Sequence, residues 1–167
     1  SAAAFMVTYQ TSYNALRSVA DAKAGEWVVV LGAAGGVGSA AIDLAKMLGC
    51  KVIACASDDE KLEACRGRGA DATINYETEN LKERIKEITG GGAAIVIDPV
   101  GGRYSEDALR ACKWKSRFVV VGFAAGDIPR IPLNLVLLKG VHIMGFEVRT
   151  FPQNEPELYK RDMRDIK

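Results

Sequence analysis

The residues that could do chemistry begin with a glycine-rich stretch, Gly32–Gly38, which reads GAAGGVG. It follows an uninterrupted apolar run, Trp27–Leu31, and precedes a segment with helical spacing. A strand, then glycines, then a helix is the arrangement that cradles phosphates, because the glycines let backbone amides at the helix start approach an anion. The stretch therefore predicts a site for the pyrophosphate of a dinucleotide. The alternative is a tight turn between strand and helix that binds nothing.

Two of these glycines have separate predicted roles. The best match to the dinucleotide fingerprint is Ala33-x-Gly35-x-x-Gly38, with alanine in the place of the first glycine. We expect Gly35 to let the backbone approach the pyrophosphate. We expect Gly38 to let the helix pack closely against the strand.

The residues after the second apolar run indicate which dinucleotide would bind. An NAD site has an acidic residue at the end of this strand, where it binds the ribose 2′-hydroxyl. Here Lys51–Cys55 is followed by Ala56 and Ser57, and Lys61 lies one helical turn further on. A hydroxyl and an ammonium group favour a 2′-phosphate, and hence NADP(H). Asp58, about 20 residues after the last glycine, would favour NAD if it turned inward; we expect it to face solvent at a helix start, where acids are favoured.

The elements that would position these residues alternate along the chain. The apolar runs do not alternate with polar residues, as is typical of strands buried on both faces. They are Trp27–Leu31, Val52–Cys55, Ala72–Ile74, Ala93–Ile97, Phe118–Val121 and Val141–Met144. Helical segments are expected at 11–20, 40–48, 58–69, 79–89, 104–112 and 156–167, and a loop at 122–132. This alternation predicts an α/β protein with helices on both faces of a parallel sheet. The predicted architecture is a Rossmann fold, doubly wound and six-stranded, with strand order 3-2-1-4-5-6.

Composition excludes several classes of function. The net charge of the 167 residues is +1 and no basic block occurs, so we expect neither nucleic acid nor a membrane as a partner. No apolar run is long enough to span a bilayer, and the N-terminus lacks the charged start of a signal peptide, so we expect a cytoplasmic protein.

Four cysteines without a C-x-x-C pair, and one histidine, favour buried thiols over a metal site.

Several motifs together resemble a known family. GAAGGVG is preceded by AGEWVVVLG and followed by DPVGG and VVVGFAAGDIPRIPLNLVLLKG. This combination resembles the quinone oxidoreductase branch of the medium-chain dehydrogenase/reductases, over nearly the whole chain from Thr11 to about Phe146. The resemblance implies binding of NADPH and hydride transfer to a quinone or enone, without zinc.

The resemblance also implies roles for individual residues along the cofactor. Thr11 is implied to lie beside the nicotinamide, and the pyrophosphate loop is Gly35, Gly36, Val37 and Gly38. The group around the 2′-phosphate is Ser57, Lys61 and Tyr76. The ribose-side end of the fourth strand is Asp98, Pro99 and Val100, and the nicotinamide-side end of the fifth strand is Gly122 and Phe123. Several have plainer alternatives: Asp98 as turn chemistry, Lys61 as a solvated lysine, Phe123 as a core residue. No proton donor is assigned, and His142 on the sixth strand is expected to be a packed or edge-strand histidine and not a catalyst.

Members of this family begin with a GroES-like substrate domain and return to it after the sixth strand. We therefore expect residues 1–150 to form the cofactor-binding domain, led in by a helix over 9–20, and residues 151–167 to start the return segment. Such a piece would bind cofactor without turnover. The resemblance further implies a homodimer through the edge strand 141–145.

Three other functions compete with this interpretation. A zinc-dependent alcohol dehydrogenase of the same superfamily stays open, because its ligands would lie mainly in the GroES-like domain. A non-catalytic NADPH-binding or sensing protein also stays open. A short-chain dehydrogenase is disfavoured, because no tyrosine has a lysine four residues later.

Overall fold

The computed structural model describes residues 1–167 as one six-stranded sheet with helices on both faces. The strands are Trp27–Val30 (β1), Lys51–Ala56 (β2), Ala72–Asn75 (β3), Ala93–Asp98 (β4), Cys112–Val120 (β5) and His142–Gly145 (β6). All five strand pairings are parallel, and the order across the sheet is β3-β2-β1-β4-β5-β6. The predicted Rossmann fold and its strand order are confirmed.

The helices connect the strands and flank them at both ends of the chain. They are Ala2–Tyr13 (α1), Gly36–Met47 (α2), Asp59–Gly67 (α3), Leu81–Thr89 (α4), Tyr104–Arg110 (α5), Leu133–Lys139 (α6), Phe151–Asn154 (α7) and Pro156–Ile166 (α8). A π-helical segment, Asn14–Val19, continues α1. No helix combines the length and the apolar character that crossing a membrane requires.

The central strand β1 explains why the apolar runs lack alternation. Val28 and Val30 pack into one hydrophobic cluster, and Val29 packs into the cluster on the opposite face. All three side chains are fully buried. Each contributes about 2 kcal/mol by leaving water. Because both faces of β1 are covered, both must be apolar.

The lead-in helix is longer than predicted. It begins at Ala2, whereas the sequence predicts a start at residue 9 to 11. The side chains of residues 2–7 are exposed although all six are apolar, so no amphipathic pattern marks this part of the helix. The widening to a π-helix at Asn14 is likewise not encoded in apolar spacing.

Two elements after β4 also differ from the prediction. The fifth strand begins at Cys112, not at Phe118. Residues 113–115 of this strand are exposed and two of them are lysines, so its first part has no apolar run in the sequence. The register shifts there, and Lys115 adopts a φ of 60°, as in a β-bulge. The helix α6 was not predicted. Only Leu135 of α6 is buried and Leu137 is exposed, so its apolar residues show no inward-facing spacing.

The C-terminal helix α8 is fastened to the π-helical segment through a buried carboxylate. Asp162 is fully buried and accepts a hydrogen bond from Asn14 Nδ2 at 2.6 Å. Arg161 Nη2 donates to the other oxygen of Asp162 at 2.9 Å, and Ser18 also donates to the carboxylate. A buried charge needs such partners to offset its lost hydration. The cluster therefore joins the two ends of the chain.

Candidate functional site

A large cleft lies at the carboxyl ends of the central strands. It encloses about 740 Å³. Its lining is mostly small or apolar: Gly32, Ala34, Gly35, Gly36, Val37, Gly38, Ala56, Ser57, Lys61, Tyr76, Pro99, Val100, Val121, Gly122, Ala124 and Ala125. These residues follow β1, β2, β3, β4 and β5, on either side of the point where the strand order reverses. Ligands of open α/β sheets bind at such a point.

Gly38 fulfils its predicted packing role. A Cβ at this position would lie 2.3 Å from Gly32 O and 2.7 Å from Ala33 Cα, so no side chain fits. Gly32 itself has a φ of +59°, in the left-handed region that favours glycine. The turn from β1 into α2 is thus tight because glycine occupies both positions.

Gly35 is in a different environment. It precedes α2 with an extended backbone, and a Cβ there would meet only Gly32 O at 3.4 Å. No side chain caps α2, whereas Asp58 caps α3 and Asn80 caps α4. The first amides of a helix need a partner and carry partial positive charge. At α2 these uncapped amides belong to residues in the cleft wall, where an anion can accept from them.

One cationic side chain in the cleft has no protein partner. Lys61 is exposed, and its ammonium group forms neither a hydrogen bond nor an ion pair. Ser57 lines the same cleft. Asp58 caps α3, accepting from the backbone amide of Lys61 at 2.9 Å, and it does not line the cleft. The expectation that Asp58 serves as a helix N-terminal acid is confirmed.

Tyr76 forms part of the cleft wall with its ring half-buried. The ring stacks on Tyr104, with centroids 3.9 Å apart and planes inclined by 14°. Burial, with a further contribution from Tyr104, raises the pKa of Tyr76 to about 12. The phenol is therefore protonated at neutral pH and available as a hydrogen-bond donor.

Asp98 does not line the cleft. Its carboxylate is buried and accepts from the amides of Val100 and Gly101, both at 2.9 Å, and from the hydroxyl of Ser105 at 2.5 Å. This is the turn chemistry named as the alternative. Asp98 acts on the cleft through the turn that places Pro99 and Val100 in the wall.

Two further predicted residues also lie outside the cleft. Thr11 is buried within α1, and its neighbour Ser12 donates a hydrogen bond to Val37 O, in the first turn of α2, at 2.8 Å. Phe123 is 43% exposed and lines a separate apolar cavity with Ile128 and Ile143. It is therefore not the core residue that the plainer alternative proposed.

Six residues of the lining received no individual role from the sequence, although Gly32 and Ala34 lie within the predicted glycine-rich stretch. The six are Gly32, Ala34, Ala56, Val121, Ala124 and Ala125. Small and apolar side chains carry no chemical signature. The available signal was position alone, because each lies in a loop or strand end at the carboxyl edge of the sheet.

The side chains of this chain do not fit a metal ion. No group of three or more His, Cys, Asp or Glu side chains converges. The four cysteines are buried and free of disulfides. Burial raises the pKa of the Cys112 thiol to about 11.

The fold and the cleft together define a Rossmann domain with a glycine-rich turn of the kind that binds phosphate groups. A family model described as zinc-binding dehydrogenase matches residues 36–162. The chain belongs to this family and, within it, to the quinone oxidoreductase branch of the medium-chain dehydrogenase/reductases. The resemblance found in the sequence is thereby confirmed.

Individual relatives support this placement. The chain is 42% identical to quinone oxidoreductase-like protein 2 of Bos taurus over 164 residues, covering 97% of this chain and 47% of that protein. The quinone oxidoreductase of Escherichia coli, solved with NADPH, is 28% identical with a TM-score of 0.86 over 96% of this chain and 49% of its own. That of Thermus thermophilus is 32% identical with a TM-score of 0.85, covering 98% and 51%. The chain thus spans about half the length of the relatives it matches.

Proposed function

We propose that this chain is the NADP(H)-binding domain of a reductase that transfers hydride from NADPH to a quinone or enone. The observation that carries the proposal is the pairing, in one cleft, of an uncapped helix start with an unpartnered lysine. Both features attract anions, and a 2′-phosphorylated dinucleotide carries anions at two places. The crystal structures of relatives with NADPH support the same cofactor.

In this proposal, different residues of the cleft bind different parts of the cofactor. The amides of Gly36, Val37 and Gly38 donate to the pyrophosphate, and Gly35 leaves room for it. Ser57, Lys61 and Tyr76 hold the 2′-phosphate, as two hydroxyl donors and one cation. Val100 and Gly122 border the riboses and the nicotinamide. The roles of Thr11 and Phe123 beside the nicotinamide, and of Asp98 beside the ribose, rest on the family resemblance alone.

The hydride chemistry belongs to the nicotinamide once it is bound. The contribution of this chain is to bind the cofactor and orient its ring. His142 opens β6 at the amino-terminal edge of the sheet, opposite the cleft, and has no role in the proposal. Because the relatives are about twice as long, turnover is proposed for a longer protein that includes a GroES-like domain, with residues 1–150 as its cofactor-binding part and 151–167 as the return segment.

Calorimetric titration of the chain with NADPH and NADH tests the proposal. We expect tighter binding of NADPH, and we expect Lys61→Ala to weaken NADPH about tenfold while NADH changes less than about twofold, as for one lost charge-assisted hydrogen bond. Lys113→Ala is the matched control, because this exposed lysine lies near the start of β5 at the opposite edge. Equal affinity for both dinucleotides would refute the 2′-phosphate site. Binding of NADPH by the longer protein without any quinone or enone reduction would favour the sensing alternative.

A further inference from the structure

A cluster of three hydrogen-bonded side chains packs against Tyr76 through the ring of Tyr104, and the proposed function gives it no role. Arg103 Nη2 donates to the carboxylate of Glu77, whose two oxygens lie at 2.8 and 2.7 Å, and it lies 3.1 Å from the hydroxyl oxygen of Tyr104. The hydroxyl of Tyr104 also donates to Glu77. The guanidinium carbon of Arg103 lies 5.0 Å from the centre of the Tyr104 ring. We call Glu77, Arg103 and Tyr104 the clamp.

The clamp is continuous with the wall of the cleft. Glu77 follows Tyr76 directly in the chain, in the turn after β3. Arg103 and Tyr104 start α5, just after the turn that Asp98 holds. The ring of Tyr104 covers one face of the Tyr76 ring at 3.9 Å. The clamp thereby links the turns after β3 and β4, which form two sides of the cleft.

The negative charge of Glu77 opposes the binding of a phosphate group next to Tyr76. Hydrogen bonds from Tyr104 and Arg103 lower the pKa of Glu77, so this carboxylate is ionised at neutral pH. An ionised carboxylate beside a phosphate site repels the ligand. Arg103 supplies the compensating positive charge at contact distance. Without Arg103, the residue next to Tyr76 would carry an unbalanced negative charge.

We propose that Arg103 and Tyr104 are positioning residues for the 2′-phosphate of NADPH: Arg103 neutralises Glu77, and Tyr104 fixes the ring of Tyr76. The inference rests on the proposed function, because it concerns the same end of the same cleft. It adds two residues that do not line the cleft themselves. In this role Arg103 acts by cancelling the charge of Glu77 and does not contact the phosphate.

A double-variant cycle separates these mechanisms. Affinities for NADPH and NADH are measured by calorimetry for the chain and for Arg103→Gln, Glu77→Gln and the double variant. We expect Arg103→Gln to weaken NADPH about fivefold and NADH less than about twofold, because only NADPH carries the repelled phosphate. The double variant should bind NADPH within about twofold of the unaltered chain, because removing Glu77 removes the need for Arg103. Arg149→Gln is the matched control: Arg149 pairs with Glu147 at 2.7 Å, outside the cleft.

Each other outcome overturns a defined part of the account. If the double variant binds NADPH as weakly as Arg103→Gln, Arg103 contacts the phosphate and the charge-cancelling role is wrong. If Arg103→Gln has no effect while the unaltered chain prefers NADPH, the inference fails and the proposed function stands. If the unaltered chain shows no preference for NADPH, both fail together.

The role of Tyr104 is tested by a conservative and a severe variant. Tyr104→Phe keeps the ring that covers Tyr76 and should retain NADPH affinity within about twofold. Tyr104→Ala removes the ring and should weaken NADPH about fivefold, in the range of one aromatic pair. Thermal unfolding of both variants shows whether they are folded. Equal NADPH affinities for the folded Phe and Ala variants would overturn the positioning role of Tyr104.

Discussion

Gly35 precedes α2 and Gly38 lies in its first turn, and the structure gives the two glycines different reasons to lack a side chain. Gly38 is closed in by the backbone of Gly32 and Ala33. Gly35 is exposed and has room for a Cβ at 3.4 Å. A side chain at position 38 conflicts with the fold, whereas one at position 35 conflicts only with a ligand that approaches the loop. The same residue type therefore serves packing in one place and binding in the other.

Alanine substitutions should separate these two roles. Gly38→Ala is expected to lower the free energy of unfolding by about 2 kcal/mol, because an added methyl group forces the backbone apart. Gly35→Ala is expected to leave stability within about 0.5 kcal/mol and to weaken NADPH binding about tenfold. Urea unfolding and calorimetry on both variants check this. The interpretation would be wrong if Gly35→Ala bound NADPH as tightly as the unaltered chain.

At the level of elements, the buried polar cluster between the π-helical segment and α8 holds the two ends of the chain together. Asp162 is fully buried, and its partners Asn14 and Arg161 depend on it. The π-helical segment continues α1, and Ser12 of α1 donates to Val37 O in the first turn of α2, which lines the cleft. The docking of α8 is thus connected to the cleft through a single continuous helix.

Removing this carboxylate should be costly. Asp162→Ala is expected to lower the free energy of unfolding by about 3 kcal/mol, because it leaves a buried amide and a guanidinium without their partner. Asp165→Ala is the control: Asp165 is exposed and accepts one hydrogen bond from Tyr13 at 3.0 Å, worth about 1 kcal/mol. Chemical unfolding of both variants gives the comparison. Equal losses would contradict the assignment of Asp162 as the anchor of α8.

The elements that could be predicted are those whose burial constrains their sequence. The strands β1, β2 and β4 are covered on both faces and must be apolar, so their runs are visible in the sequence. The helix α6 is not visible there because Leu133, Leu137 and Leu138 are exposed. Periodicity reports which side chains face the core, and α6 has little of its surface there.

Some residues of the site could likewise be predicted from the sequence, and others could not. Glycines and a lysine in a known arrangement could be predicted, because phosphate binding restricts which residues fit. The clamp could not, because Glu77 and Arg103 are 26 positions apart and only the fold brings them together. The sequence offers the turn role of Asp98 only as an alternative, and the contacts of its carboxylate decide in favour of it.

At the level of the whole molecule, β6 presents a free edge. His142, Ile143 and Gly145 are not buried, and the backbone of β6 pairs only with β5. Exposed edges are usually paired or covered. We propose that residues 141–145 pair with the same strand of a second copy to form a homodimer, as the family resemblance implies.

Size-exclusion chromatography with light scattering measures the mass of the protein in solution and tests the proposed homodimer. We expect twice the chain mass of 17.9 kDa. Ile143→Lys should shift the protein toward the monomer, because it places a charge on an apolar edge strand. Met47→Lys, which alters another exposed apolar residue, on α2 and away from β6, should leave the mass unchanged. A monomer at every accessible concentration would contradict the proposal.

The most direct test of the central claim is to map NADPH onto the chain by amide chemical shifts in solution. Residues 90–92 provide an internal control, because they form a second glycine-rich stretch near the opposite edge of the sheet. We expect the amides of Gly35, Gly36 and Gly38, and that of Ser57, to shift and saturate as NADPH is added, while residues 90–92 stay unchanged. Saturating shifts that leave the glycine loop unaffected, or no shifts at all, would contradict the assignment of this cleft as the cofactor site.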